Sequence, residues 1–338
     1  MVLDHGGRLN EAAKRWGISR SEWLDLSTGI NPVGWPVPDI PAEVWQRLPE
    51  ADDGLEEVIR EWSGASPSAA CVPVPGSQAA IMALPGLRNP CRVGIPEPGY
   101  REHGYNWRNA GHTTIPIGPE QTRCGLSGCD DRWLDQVDVL VWINPNNPTG
   151  KIIPPSTLLR WHQRLQKRGG WLVVDEAFMD ATPAFSLCTQ AGRPGLIVLR
   201  SLGKFFGLAG VRAGFVLADD WIAGNLRQAL GPWALSGPAR YVMRQALRDK
   251  GWQSKARVSL QQNMGRLREV LQEARLTLVG GTVLFQTVRA DNPVILADQL
   301  AAQAVLVRVF EQPGMLRFGA LANEKQLRQL MGALAVST

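Results

Sequence analysis

The chain has little of what several functional classes require. Among its 338 residues are only four histidines and five cysteines, Cys71, Cys91, Cys124, Cys129 and Cys188. The cysteine number is odd and no C-x-x-C occurs, so there is no recognisable metal site and no disulfide framework; the pattern reads as reduced thiols. No apolar run approaches the roughly 18 residues that a membrane span needs, and the opening "MVLDHGGRLNEAAKRW" lacks the apolar core of a signal peptide. The net charge is a modest +5, with no long block of one sign, so the concentrated basic patch of a nucleic-acid binder is missing. These absences predict a cytoplasmic protein without membrane or nucleic-acid partners.

What is present is an ordinary soluble composition, 44% apolar and 20% charged. The length allows one large domain with a smaller companion. The 13 tryptophans read as core or interface anchors. The first 40 residues form an arm with short helical potential ("LNEAAKRWG") and a turn-rich "LSTGINPVGWPVPDIP". A helix is expected from Asp53 to Trp62, with Asp53 as cap and Gly64 as stop. A second helix begins at "GSQAAIMAL", and "STLLRWHQRLQKRGG" is a third, with a serine cap.

Between these helices lie short apolar strands: "RVGIP", "HTTIPIG", "DVLVWINP", "WLVVDEAF", "LIVLRS" and "AGFVLA". Buried strands interleaved with helices predict an α/β domain whose mostly parallel sheet is covered on both faces. The loop between "LIVLRS" and "AGFVLA" is too short for a crossover helix, which implies an antiparallel neighbour. After the turn-rich "GPWALSGPAR" comes a long helical stretch, roughly Pro238 to Leu276. The strands "TLVGGTVLFQTV", "VLVRVF" and "MLRFGAL" follow, in a smaller α+β domain. The division expected is an arm over 1–40, a large domain over 41–235 and a small C-terminal domain over 236–338.

Three stretches carry chemistry. In "VWINPNNPTGK" a buried strand ends in fixed amides, at the carboxyl end where open α/β sheets bind ligands, although an isolated Asn-Pro also reads as a rigid turn. In "WLVVDEAF", Asp175 and Glu176 follow four apolar residues and need cationic or hydrogen-bonding partners. An anionic Asp175 could pair with a protonated ring nitrogen. In "RSLGKFFGLAGVRAG", residues 200 to 214, Lys204 is surrounded by small and apolar residues. Such a desolvated amine has a lowered pKa and can form a Schiff base with a carbonyl. Ser201 and Arg212 flank it and suit phosphate oxygens. The "GK" is no nucleotide P-loop, because Phe205 stands where Ser or Thr is needed. "PGSQAA" offers backbone N–H groups at a helix start, a cradle for a phosphate.

In this order the motifs resemble the fold-type I pyridoxal-phosphate enzymes, the aspartate aminotransferase superfamily, over nearly the whole chain. The resemblance implies an aspartate-aminotransferase-like α/β fold, pyridoxal 5'-phosphate as cofactor and a homodimer. By motif match Lys204 is the Schiff-base lysine and Asp175 the partner of the pyridinium nitrogen. Asn147 meets the ring hydroxyl and Tyr100, in "PGY", stacks on the ring. Gly76, Ser77, Gln78, Ser201 and Arg212 hold the phosphate. Arg317, in "MLRFG", receives the substrate carboxylate.

Within the superfamily the resemblance is closest to the branch of the histidinol-phosphate aminotransferases and the threonine-phosphate decarboxylases of cobalamin biosynthesis. "DHGG", Asp4 to Gly7, and "LDLSTGINP" are similar to the decarboxylases' arm. Phe178 stands where most aminotransferases carry a tyrosine. Arg308, nine residues before Arg317, adds a second guanidinium for a substrate with both a carboxylate and a phosphate. The implied reaction is decarboxylation of L-threonine O-3-phosphate to (R)-1-amino-2-propanol O-2-phosphate and CO2, with histidinol-phosphate-type amino transfer as the alternative. Arg308, Asn31 and the arm residues His5, Gly6 and Gly7 are the candidates for the substrate phosphate. One departure stands out: near "RLPEAD", where the branch often carries a tyrosine reaching a neighbouring subunit's cofactor phosphate, this chain has Leu48, Asp52 and Asp53.

Overall fold

The computed structural model describes residues 5–122, 124–125 and 128–337. Its centre is a seven-stranded sheet of β1 (Ala70–Val74), β2 (Arg92–Pro96), β3 (Thr113–Ile117), β4 (Val139–Ile143), β5 (Trp171–Asp175), β6 (Leu196–Ser201) and β7 (Gly214–Ala218). The spatial order is β1-β7-β6-β5-β4-β2-β3. Strands β4, β5, β6 and β7 are buried along their whole length. Continuous apolar strands of this kind fit a sheet covered on both faces, and helices supply the cover. As the short 202–213 loop requires, β7 runs antiparallel, between β1 and β6. The other pairs are parallel. Val74, Pro96, Ile143, Asp175 and Ser201 therefore end at one edge of the sheet, and the loops that follow them share that edge.

Helix α1 (Leu9–Trp16) ends at left-handed Gly17. Its Ala12, with Trp23, packs against Ala301 and Ala304. Residues Leu24 and Asp25 then pair in parallel with Val305 and Leu306, which ties the arm to the C-terminal part of the chain. That part holds an antiparallel sheet of β8 (Thr277–Thr282), β9 (Phe285–Arg289), β10 (Arg308–Phe310) and β11 (Met315–Gly319), in the order β8-β9-β11-β10. The "VLVRVF" stretch is thus two short strands. Helix α2 (Leu55–Ser63) starts two residues after Asp53, which accepts the Leu55 N–H at 3.0 Å and also receives Arg240.

Three expectations need correction. The N-cap of α2 is Gly54, not Asp53. The stretch 238–276 is not one helix but two, α4 (Gly237–Arg248) and α5 (Lys250–Glu273). Asp249 breaks the run and caps α5 by accepting the Trp252 N–H at 2.9 Å, an N-cap use that competes with helix continuation. The helix over Pro155–Gln166 has Pro154, not Ser156, at its N-cap, so the serine lies inside the first turn.

The two sheets meet where glycine permits it. A Cβ on Gly150, whose φ is +69°, would lie 2.3 Å from the Gly281 carbonyl oxygen. This contact, with the Thr287 hydroxyl donating to the Pro148 carbonyl at 2.6 Å, seats the "NNPTG" loop against the β8–β9 hairpin. Beneath the lysine loop, buried Arg200 meets Glu176 at 3.0 Å and pairs with Asp180 as well. Its guanidinium lies 4.8 Å from the Trp62 ring. Arg257 of α5 donates to the Asp180 carbonyl at 2.9 Å, so the cluster joins α5 to the sheet edge. Glu176 is structural, as its buried partners show. Arg200→Met, which leaves two buried carboxylates unpaired, is expected to destabilise the chain by about 3–5 kcal/mol. Denaturant unfolding against wild type checks this.

Candidate active site

The loops at the carboxyl edge enclose a cavity of about 130 Å3 lined by Ser77, Gln78, Tyr100, Asn147, Asp175, Phe178, Ser201, Lys204 and Arg212. It opens into a larger cavity of about 420 Å3 that shares Tyr100, Asn147 and Lys204 and adds His5, Gly6, Arg308 and Arg317. Residues from five sheet-edge loops, the arm and the small sheet thus meet around one amine.

Lys204 sits with its Nζ 5.4 Å from the Phe178 ring centroid. Burial lowers its pKa to about 8, helped by the nearby cations Arg317 and Arg212 and opposed by Asp175. Asp175, at the end of β5, accepts the Ala177 N–H at 3.0 Å with Oδ1. Its Oδ2 lies 2.9 Å from Nε2 of buried His103. With the ring's hydrogen placed on Nε2, His103 holds the carboxylate in position through its fixed place on α3 (Arg101–Asn109). Burial, Glu102 and Asp175 push the Tyr100 phenol well above its ordinary pKa, so it is a neutral donor.

The end of the cavity beside Arg212 is built from glycine geometry. A Cβ on Gly76 would come within 2.8 Å of Arg212 Nη2, so only glycine lets the guanidinium face the cup. Gly76 itself does not line the cavity. Arg212 adopts φ +51°, a left-handed conformation costly for a side-chain-bearing residue and typical of functional sites. A small cavity lined by one arginine, two serine hydroxyls, a buried carboxylate and a deprotonatable amine fits pyridoxal 5'-phosphate.

At the mouth, Arg317 is buried. Its Nη1 donates to Asn147 Oδ1 at 2.6 Å and its Nη2 to the Ser27 carbonyl at 2.9 Å. Its Nε is buried without a partner, and no carboxylate pairs with it among the described residues. Phe285 and Phe310 lie 5.1 and 6.0 Å from its guanidinium carbon. Arg308 is the direct cross-strand partner of Arg317. Like charges so placed repel, and burial together with Arg308 lowers the Arg317 pKa.

Not every sequence candidate reaches the cavity wall. Asn31 turns away: its amide donates to the Phe205 carbonyl at 2.9 Å and its N–H to the Lys204 carbonyl at 2.9 Å. It buttresses the lysine loop and is not available to a substrate phosphate. Gly7 also stays off the wall, donating its N–H to Ser27 Oγ at 2.7 Å. Asp4 of "DHGG" lies outside the described residues. Residue-by-residue reading missed His103, Glu102, Ser27 and Phe310. For His103 a signal existed, since it follows Tyr100 by three residues and a helix start would place both on one side.

Fold and site together define a pyridoxal-phosphate enzyme scaffold, and the chain belongs to the family described as aminotransferase class I and II, whose profile matches residues 45–334. It is 48% identical to the threonine-phosphate decarboxylase of Pseudomonas aeruginosa, over 98% of this chain and 97% of that one. It is 37% identical to the threonine-phosphate decarboxylase of a Sinorhizobium species, over 98% and 97% of the two chains. The crystal structure of histidinol-phosphate aminotransferase from Sinorhizobium meliloti, in complex with pyridoxal-5'-phosphate, superposes with a TM-score of 0.80 at 19% identity, covering 98% of this chain and 94% of that one.

In the cofactor-free chain, an amine-selective reagent is expected to label Lys204 with a midpoint near pH 8. Arg317→Gln removes a positive neighbour, which favours the ammonium form and moves that midpoint upward. Mass-spectrometric labelling across pH reads both; an unmoved midpoint would show that burial alone sets the lysine.

Proposed function

We propose that the protein is a pyridoxal-phosphate-dependent carboxy-lyase that converts L-threonine O-3-phosphate to (R)-1-amino-2-propanol O-2-phosphate and CO2. The observation that carries this reading is the pair Arg308 and Arg317, register partners on adjacent strands at the mouth of one cavity. Two guanidinium groups side by side suit a substrate with two anionic ends. The full-length likeness to threonine-phosphate decarboxylases supports the same substrate.

Bound pyridoxal phosphate supplies an electron sink for the pair left at the substrate's Cα when a bond there breaks. Ser77, Ser201 and Arg212 would hold its phosphate, Tyr100 its ring face, Asn147 its ring hydroxyl, and Asp175 a proton at its ring nitrogen. Lys204 would hold its carbonyl carbon. With a pKa of about 8, Lys204 is neutral in about a tenth of molecules at pH 7, far more than an unperturbed lysine. Arg317 takes the substrate carboxylate, while Arg308 and the arm at His5 and Gly6 take the phosphate. These contacts would fix the orientation of the substrate's Cα, and so decide between loss of CO2 and loss of a proton. After CO2 leaves, Lys204 Nζ is the acid placed to return a proton to Cα. Phe178 adds bulk without a hydroxyl on this wall, and Gly29 makes room for it: a Cβ there would be 2.8 Å from the Phe178 ring.

With L-threonine O-3-phosphate and no 2-oxo acid, the holoenzyme is expected to release CO2 over many turnovers. A single stoichiometric conversion without CO2 would establish amino transfer instead. The reading also places the enzyme in the cytoplasm as a homodimer. Exposed Leu48 and Trp233 support the second point, since Trp233 lines a surface groove and Leu48 directly precedes Pro49 on its wall. Sedimentation equilibrium is expected to give twice the 37.0 kDa chain mass.

A further inference from the structure

Glu102 lies on the first turn of α3, and no part of the mechanism above uses it. Its carboxylate is largely covered, with 14% of the side chain exposed. A covered carboxylate must keep its hydrogen-bond partners, and those partners come from three different parts of the site.

The first is the cofactor wall. The Tyr100 hydroxyl donates to Gln78 Oε1 at 3.1 Å, which fixes the orientation of the Gln78 amide. Gln78 Nε2 must then point the other way, and it donates to Glu102 Oε2 at 2.8 Å. The second is α3 itself, where Asn106 Nδ2 donates to the same oxygen at 3.1 Å and to the Glu102 carbonyl at 2.8 Å. That leaves Oε1 for the third partner, the arm: His5 Nε2 lies 2.8 Å away.

The arm is fastened on its other side as well. The Gly7 N–H donates to Ser27 Oγ, and a Cβ on Gly6 would lie 2.3 Å from the Ser27 carbonyl oxygen. That carbonyl is the one that accepts Arg317 Nη2. Residues 5–7 therefore run from the cofactor wall to the Arg317 wall, across the mouth of the cavity that Arg308 and Arg317 line.

We propose that Glu102 is a positioning residue that sets the N-terminal arm across this mouth and thereby determines affinity for the substrate's phosphate end. The proposal rests on the reaction assigned above for its substrate. One oxygen of the carboxylate holds the wall that faces the cofactor and the other holds His5, so the arm's place is referred to the cofactor's place by a single side chain. A contact on an open surface would contribute almost nothing; this one is set apart by the covered carboxylate of Glu102 and the three side chains that converge on it.

Glu102→Gln keeps an amide oxygen for Gln78 and Asn106 but turns an N–H2 toward His5. In the holoenzyme it is expected to raise KM for L-threonine O-3-phosphate about tenfold, the loss of one charge-assisted hydrogen bond, with kcat changed less than about twofold. Amide hydrogen exchange over residues 5–9 of the substrate-free holoenzyme is expected to speed up by about the same factor. His5→Ala should reproduce the faster exchange, and the double variant should be no worse than either single, because both remove one contact. Wild-type exchange over 5–9 in Glu102→Gln, or effects of the two substitutions that add, would overturn the proposal. Should Glu102→Gln fail to fold, His5→Ala decides by the same exchange measurement. Should the wild-type holoenzyme release no CO2, the assigned reaction fails, and exchange over 5–9 still decides the role of Glu102.

Discussion

Two cations, Lys204 and Arg317, are held out of water without an ion pair of their own among the described residues. Burying a charge that way is among the most unfavourable things a fold can do. The surrounding structure is arranged to make it possible. The carboxyl edge of the central sheet supplies Asp175, the amides of the "NPNNPTG" loop and the Ser201 hydroxyl. The arm supplies the Ser27 carbonyl. Below the lysine loop the Arg200 cluster balances its own charges, which leaves the cavity cations to be balanced by whatever binds.

That imbalance has a direction. The small sheet brings Arg308 beside Arg317, and the Phe310 ring lies near both guanidinium groups, 5.5 Å from Arg308 and 6.0 Å from Arg317. Aromatic faces attract cations and soften this repulsion. The cofactor end, by contrast, is shaped by sterics: Gly76 admits Arg212, Gly29 admits Phe178, and Gly150 lets the asparagine loop meet the hairpin. One end of the site selects by charge and the other by shape. The arm spans the two: residues 5–7 and their anchors Glu102 and Ser27 link the walls of both ends.

Much of this was legible before any coordinates. Lys204, Asp175 and Asn147 each follow a buried apolar strand or its turn, and a polar group in that setting needs a reason. The antiparallel β7 followed from loop length alone. Less legible were features that depend on competition for partners. Asn31 lies in a motif that reads as substrate-binding, yet the backbone of the lysine loop takes its amide. Asp249 offers no hint in hydrophobic periodicity that it will end one helix and cap the next. Ser156 looks like a cap, but Pro155, whose fixed φ suits the first helical position, starts the helix one residue earlier and leaves Pro154 at the N-cap.

By itself the sequence determined the alternation of strands and helices, the residue types that hold a phosphorylated pyridine aldehyde, and the family. These follow from local periodicity and from chemistry carried by contiguous motifs. Only the tertiary structure decided that Arg308 faces Arg317, that His103 supports Asp175, and that His5, Gln78 and Tyr100 share Glu102 directly or through one another. Those relations join residues far apart along the chain, and strand register and arm docking set them. A change of one residue in register would turn Arg308 to the opposite face of its sheet while leaving every motif intact.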